Sequence, residues 1–291
     1  MPMMRDQAET LRLKMLKSQG KLARSIAIVS GKGGVGKSNF STNFAHALLA
    51  KDKKVIIIDM DIGMGNIHIL LGLTPQNSLR DYLLNKVEID DVVNDAPGGL
   101  SFISGGSGLD MVMEWSKDMF DRLIQAFEHL QQRYDFILFD MGAGATQRSI
   151  ELLVAVDEII VISTTEPTSI TDAYSMMKFI CLQDPDKAFS IVSNRVSKGD
   201  DGNDTVTRLQ YAMRKFLGKE TKILGFLPED PAVHKAVLAQ EPFLLLFPKA
   251  PISKRMMAIA ETFVSPSSEE EFKQGEGFLG KMRSIFAKGR G

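Results

Sequence analysis

The stretch Ser25-Ile-Ala-Ile-Val-Ser30-Gly31-Lys32-Gly33-Gly34-Val35-Gly36-Lys37-Ser38-Asn39 decides how this chain of 291 residues is read. A short apolar block of strand character runs into a glycine-rich turn, and an amphipathic stretch from Ser38 to Ala50 follows. The turn has the Walker A spacing: Gly31, four residues, then Gly36-Lys37-Ser38. Gly33, Gly34, Val35 and Gly36 let successive backbone N–H groups converge on phosphate oxygens. Lys37 reaches the β- and γ-phosphates, and the Ser38 hydroxyl can ligate Mg²⁺. Asn39 continues the helix that begins there, whose positive end adds to the attraction for an anion.

Working outward, apolar runs of strand length recur at Val55 to Asp59, Leu100 to Ser104, Phe136 to Asp140, Glu158 to Ser163, Phe189 to Asn194 and Ile223 to Leu227. Stretches of helical character lie at Ser116 to Arg133, Thr168 to Leu182, Asp204 to Leu217 and Ser253 to Phe263. Several runs are continuous apolar blocks, as expected of strands covered on both faces. The alternation predicts an α/β fold: a doubly wound, mostly parallel sheet of P-loop type flanked by helices, over residues 25–264. A basic segment, 1–24, precedes it; 265–277 reads as a linker and 278–291 as an amphipathic helix, so helical extensions are expected at both ends.

The 35 basic and 36 acidic side chains nearly cancel. Nothing global therefore draws the chain to nucleic acid, and direct nucleic-acid binding is not expected. The single cysteine, Cys181, excludes an internal disulfide framework and a site built from several thiolates of one chain. No run approaches the roughly 18 apolar residues of a membrane span, and the N-terminus lacks the apolar core of a secretory signal. The expected location is the cytoplasm, with any membrane contact made from the surface. His46, His68, His129 and His234 lack metal-ligand spacing.

Three acids, Asp59, Asp61 and Asp140, end predicted strands, where an open parallel sheet places its ligand crevice. Carboxylates beside phosphate need a reason, and Mg²⁺ with an attacking water supplies one. Gly142 and Gly144 would let a backbone N–H approach the γ-phosphate as a switch loop. Asn194 is followed by Arg195-Val196-Ser197, without the aspartate that recognises guanine, so ATP is the expected nucleotide. Asn194 can bond the adenine edge and the backbone of Pro228, Glu229 and Asp230 can line the base; a simple turn before a helix remains the alternative for the latter.

Lys32, a second lysine inside the loop, makes the motif resemble the deviant Walker A of the MinD/ParA family of dimerising ATPases. The resemblance extends to Asp59-Met60-Asp61-Ile62-Gly63-Met64-Gly65-Asn66, to the Walker B candidate Phe136-Ile-Leu-Phe-Asp140-Met-Gly-Ala-Gly144, and to Ser193-Asn194-Arg195 and Pro228-Glu229-Asp230. It implies an ATPase cycling between ATP and ADP, in which Asp61 positions the water, Asp59 and Asp140 hold Mg²⁺ with Ser38, and Lys32 reaches across an ATP-bound homodimer. MinD has proline where this chain has Gly142.

Each end carries its own resemblance. Asp6-Gln7-Ala8-Glu9-Thr10-Leu11-Arg12 is similar to the Asp-Gln-Ala-x-x-Leu-Arg signature of the FlhG group, the flagellar MinD-like ATPases also called YlxH or FleN. That implies stimulation of the signal-recognition-type GTPase FlhF, with Gln7 suited to orient the attacking water and Asp6, Leu11 and Arg12 beside it. Basal-body ring components are implied as further partners. At the other end, Phe278, Leu279, Met282, Ile285 and Phe286 form an apolar stripe flanked by Lys281, Arg283 and Lys288. It resembles the membrane-targeting helix of MinD, implying an anionic membrane surface as partner and cycling to the inner face of the cytoplasmic membrane. The same pattern suits a helix docked on its own core. A MinD-type division-site ATPase and a scaffold with structural ATP are the rival readings.

Overall fold

The computed structural model describes residues 22–61, 65–106, 117–143, 147–199, 202–265 and 277–288. Strands β1 (Arg24–Val29), β2 (Val55–Met60), β3 (Asn94–Ala96), β4 (Leu100–Ile103), β5 (Phe136–Met141), β6 (Glu158–Thr164), β7 (Ala188–Val196) and β8 (Lys222–Pro228) form one sheet in the order β3-β4-β2-β5-β1-β6-β7-β8. All neighbours are parallel except β3 and β4. The short polar edge strand β3 has no apolar run to announce it and was not expected from the sequence.

Both faces of the sheet are covered, and β1 shows why its run is continuously apolar. Ile26 and Ile28 enter one layer with Phe40, Phe44 and Leu48 of α1 (Lys37–Leu49) and with Met256, Ile259 and Phe263 of α10 (Pro251–Val264). Ala27 and Val29 enter the other. There they join Phe127 of α4 (Lys117–Arg133), Leu153 of α5 (Gln147–Ala155), Met177 of α6 (Pro167–Gln183) and Leu209 of α7 (Gly202–Leu217). Smaller helices complete the chain: α2 (Ile67–Leu70), α3 (Leu79–Leu83), α8 (Pro231–Ala239) and α9 (Phe243–Leu246).

Topology gathers the chemistry. The chain runs from β1 to one side of the sheet, returns through β5, and continues on the other side through β6. The point of reversal lies at the carboxyl ends of β2, β5 and β1, where a crevice is left. Asp59 and Asp140 are register partners across β2 and β5, and Ile28 of β1 pairs with Asp140 on its other side.

The C-terminal helix α11 (Phe278–Lys288) packs against α4 and α5. Phe278 is 1% exposed, with ring centroids 5.2 Å from Phe127 and 5.7 Å from Phe139. Leu279 and Met282 are buried beside it and Ile285 is partly buried. Lys281 pairs with Asp184 at 3.2 Å, and Arg283 with Glu128. The stripe expected to lie on a membrane is thus spent on the core in this conformation. An apolar face flanked by cations satisfies either surface, and here acids on the domain meet the cations. The Phe286 side chain lies outside the described residues.

Candidate functional site

The loop after β1 is held in shape by its neighbours as much as by its own glycines. Gly36 has φ +90°, and a Cβ there would stand 2.5 Å from Asn194 Nδ2. Glycine meets both demands. Asn194 Nδ2 donates to the Val35 carbonyl at 2.8 Å, so this side chain, expected at the adenine edge, also braces the phosphate loop. Gly33 and Gly34 are exposed and Lys37 is buried. The Asn39 side-chain oxygen accepts from Asn43 Nδ2 at 3.1 Å within α1.

Asp140, fully buried at the end of β5, is the hub. Its Oδ2 accepts from Ser38 Oγ at 2.6 Å. Its Oδ1 accepts from Ser41 Oγ at 2.6 Å and faces Lys37 Nζ at 2.9 Å. Three groups that ATP chemistry requires, the lysine, the hydroxyl and the carboxylate, therefore already meet at one point.

Asp59 is 2% exposed and accepts from the backbone N–H of Asp61 at 3.0 Å and of Ile67 at 3.3 Å. It thus also organises the turn that carries Asp61. Burial, reinforced by the nearby Asp140 carboxylate, pushes its pKa up to about 7, against the pull of those two N–H donors and Lys37. Asp61 is raised too, by burial first, with Lys37 opposing. A Cβ built on Gly142 would stand 3.3 Å from Asp61 Oδ1, so the loop after β5 passes directly beside this carboxylate.

Lys32 stands on the exposed rim, its Nζ 2.7 Å from Glu166 Oε2 and 3.4 Å from Thr168 Oγ1. The Lys32 ammonium holds the Glu166 carboxyl below its ordinary range. Arg195 is exposed and adopts φ +55°, uncommon for a side chain of this size. The Glu229 backbone N–H donates to the Val196 carbonyl at 2.9 Å, bringing the ends of β7 and β8 together beside Asn194. The Asp230 carboxylate caps α8 through Ala232 N–H at 2.9 Å and also accepts from Ile252 N–H at 3.3 Å. That leaves the Pro228 to Asp230 backbone as the surface that could line a base.

Mg²⁺ bound mainly through phosphate oxygens and water asks little of a protein: one or two hard oxygen donors. The Ser38 hydroxyl and Asp140 carboxylate provide these, so the residues present fit the ion. Among the described residues no three His, Cys, Asp or Glu side chains are grouped to hold a metal unaided. Asp6, Gln7, Leu11, Arg12 and Gly144 lie outside the described residues. Sequence reasoning missed Ser41 and Glu166. Ser41 had a faint signal, since it sits four residues after Lys37 on the same helical face; Glu166 had none.

A glycine-rich loop between a parallel strand and a helix, with acids at the neighbouring strand ends, defines a P-loop NTPase. The ParA family model, described as NUBPL iron-transfer P-loop NTPase, matches residues 21–264. The antiactivator FleN of Pseudomonas aeruginosa is 33% identical over 236 residues, covering 81% of this chain and 84% of FleN. The flagellum site-determining protein YlxH of Helicobacter pylori is 30% identical over 242 residues, covering 82% and 81% respectively. Among solved structures, MinD of Pyrococcus horikoshii complexed with Mg-ADP superposes with a TM-score of 0.70 at 24% identity, covering 87% of this chain and all of that one. The chain belongs to the ParA family of P-loop NTPases, in the FlhG type that FleN and YlxH represent. It is an ATPase.

Proposed function

We propose that this ATPase is a dimerising, membrane-associating switch that regulates flagellar number and placement, and that its N-terminal segment stimulates the GTPase FlhF. The observation that carries the reading is the position of Lys32 beside an otherwise equipped phosphate loop. Its side chain is 44% exposed and, among the described residues, is tied to Glu166 and Thr168 on the rim, where a second protomer would meet it. A site that already holds Lys37 gains most from a second cation if it arrives from a neighbour.

In this reading the 33–39 loop binds the phosphates of ATP, Asn194, Arg195 and the Pro228 to Asp230 segment surround the base, and Asp61 orients the water. Ser38, Asp140 and Asp59 hold Mg²⁺, which neutralises charge developing on the transferred phosphoryl group. The C-terminal helix leaves the core for an anionic membrane. A buried side chain of this kind is worth about 1.5–3 kcal/mol in either apolar environment, so release and insertion nearly balance and a second anchor in the dimer tips them. In this reading the signal travels through α5 to α11. The Gly142 loop leads into α5, whose end is capped by Lys187 Nζ donating to the Val154 and Val156 carbonyls at 2.6 Å each. Asp184 links Lys187 to Lys281 of α11.

The test is co-sedimentation of the full chain with phosphatidylglycerol-containing vesicles. ATP should increase binding, Asp61→Ala should make it persist, and Lys32→Ala should abolish the ATP effect. Binding that ignores ATP would refute the switch. In parallel, Gln7→Ala should remove the stimulation of GTP-loaded FlhF; an unchanged rate would sever the flagellar partner from this segment.

A further inference from the structure

We infer that Ser41 is a positioning residue for the Mg²⁺ carboxylate: it fixes the rotation of Asp140 while that residue's other partners change. The inference rests on the reading of Asp140 as a metal carboxylate. Among the described residues Asp140 has three side-chain partners, and two belong to the ligand-binding machinery. Lys37 Nζ, at 2.9 Å, is the group that would reach phosphate, and Ser38 Oγ, at 2.6 Å, is the hydroxyl that would help hold Mg²⁺. Each has another oxygen to serve once nucleotide binds. Ser41 has not. It is fully buried one turn deeper in α1, below the loop, and its hydroxyl meets Oδ1, the oxygen opposite the one that Ser38 engages.

A serine hydroxyl has one proton to give. Ser41 Oγ lies 3.1 Å from the Lys37 carbonyl and 2.6 Å from Asp140 Oδ1, and the shorter contact, to an anion, takes the proton. The torsion that turns an aspartate carboxylate is broad and weakly restrained on its own. With Lys37 and Ser38 drawn to nucleotide, the hydrogen bond from Ser41 is what keeps Oδ2 turned toward the metal. The effect should therefore appear in Mg²⁺ dependence and not in nucleotide affinity as such.

The experiment titrates Mg²⁺ into the full chain with a fluorescent ATP analogue. Ser41→Ala and the near-isosteric Ser41→Cys, whose thiol is a weak donor, should each raise the half-saturating Mg²⁺ concentration about tenfold, the worth of one charge-assisted hydrogen bond. Analogue affinity in EDTA should be unchanged, and Ser41→Thr, which keeps the hydroxyl, should restore the wild-type Mg²⁺ curve. Half-saturation within twofold of wild type in both Ala and Cys variants overturns the inference, as does an equal loss of affinity in EDTA. A wild-type chain that binds the analogue without regard to Mg²⁺ overturns the reading of Asp140 itself, and the inference with it.

Discussion

Each end of the sheet buries a carboxylate against a cation, and the two arrangements serve opposite ends. At the amino end, Glu158 of β6 faces Arg24 of β1 at 2.8 Å and accepts from the Ser190 hydroxyl. The Arg24 guanidinium lies 4.9 Å from the Phe263 ring centroid and 5.8 Å from that of Phe136. At the carboxyl end, Asp140 is held by Lys37, Ser38 and Ser41. The partners of Glu158 named here come from two other strands, β1 and β7, whose positions the sheet fixes. Those of Asp140 all come from α1 at the foot of the phosphate loop, where an incoming anion competes for two of them. The same chemistry is a rivet in one place and a set of exchangeable contacts in the other.

The largest effect that separates them is on turnover. Lys37→Ala should lower ATP hydrolysis by at least about 100-fold, the order lost when a preorganised charge donor is removed. Glu158→Gln should leave kcat/KM of the folded chain within about twofold while lowering stability by roughly 3 kcal/mol, because a neutral amide then faces the Arg24 guanidinium. Phosphate release and denaturant unfolding on the two variants check this. A Glu158→Gln chain of full stability and reduced turnover would erase the distinction between the two ends.

Acidity sharpens the comparison next. The folded Asp59 carboxyl is pushed up to about 7 from an ordinary 3.8, so between about pH 4 and 7 the folded chain binds a proton that the unfolded chain has lost. Stability of the nucleotide-free chain should therefore fall as pH rises through that window and level off above it. Glu158 and Asp61 are raised as well, so they add slopes of the same sign. Asp59→Asn should flatten the curve of Tm against pH without abolishing it. An unchanged slope would mean that Asp59 is ionised throughout.

How much of this was legible beforehand follows from what kind of feature each is. The phosphate loop, Asp59, Asp61 and Asp140 could be read because glycine spacing and strand-end position are properties of the chain itself. The use of Asn194 as a brace could not, because it depends on β7 arriving beside the loop, 159 residues away in sequence. Likewise the stripe at Phe278, Leu279 and Met282 could be recognised as amphipathic, but periodicity does not say which apolar surface it meets. The Pro228 to Asp230 segment was ambiguous for another reason: Pro231 and the Asp230 cap mark the start of α8 whether or not the backbone before it lines a base.

The smallest expected effect on stability falls on the residue whose functional effect should be among the largest. Lys32 and Glu166 are both exposed, and water screens an ion pair of this kind so that it adds little to stability. Glu166→Gln and Lys32→Ala should therefore each leave the unfolding transition close to that of the wild type, and salt should screen what effect remains. If Lys32 acts across a dimer, hydrolysis in Lys32→Ala should be lost while the fold is untouched, and Glu166→Gln, which frees the lysine from its rim contact, should retain activity. Equal losses in both variants would place the pair's importance within one protomer. A buried charge such as Lys37 cannot be tested so cleanly, because removing it disturbs the hub that holds it; the exposed lysine can, and its weak attachment is what allows it to change partners.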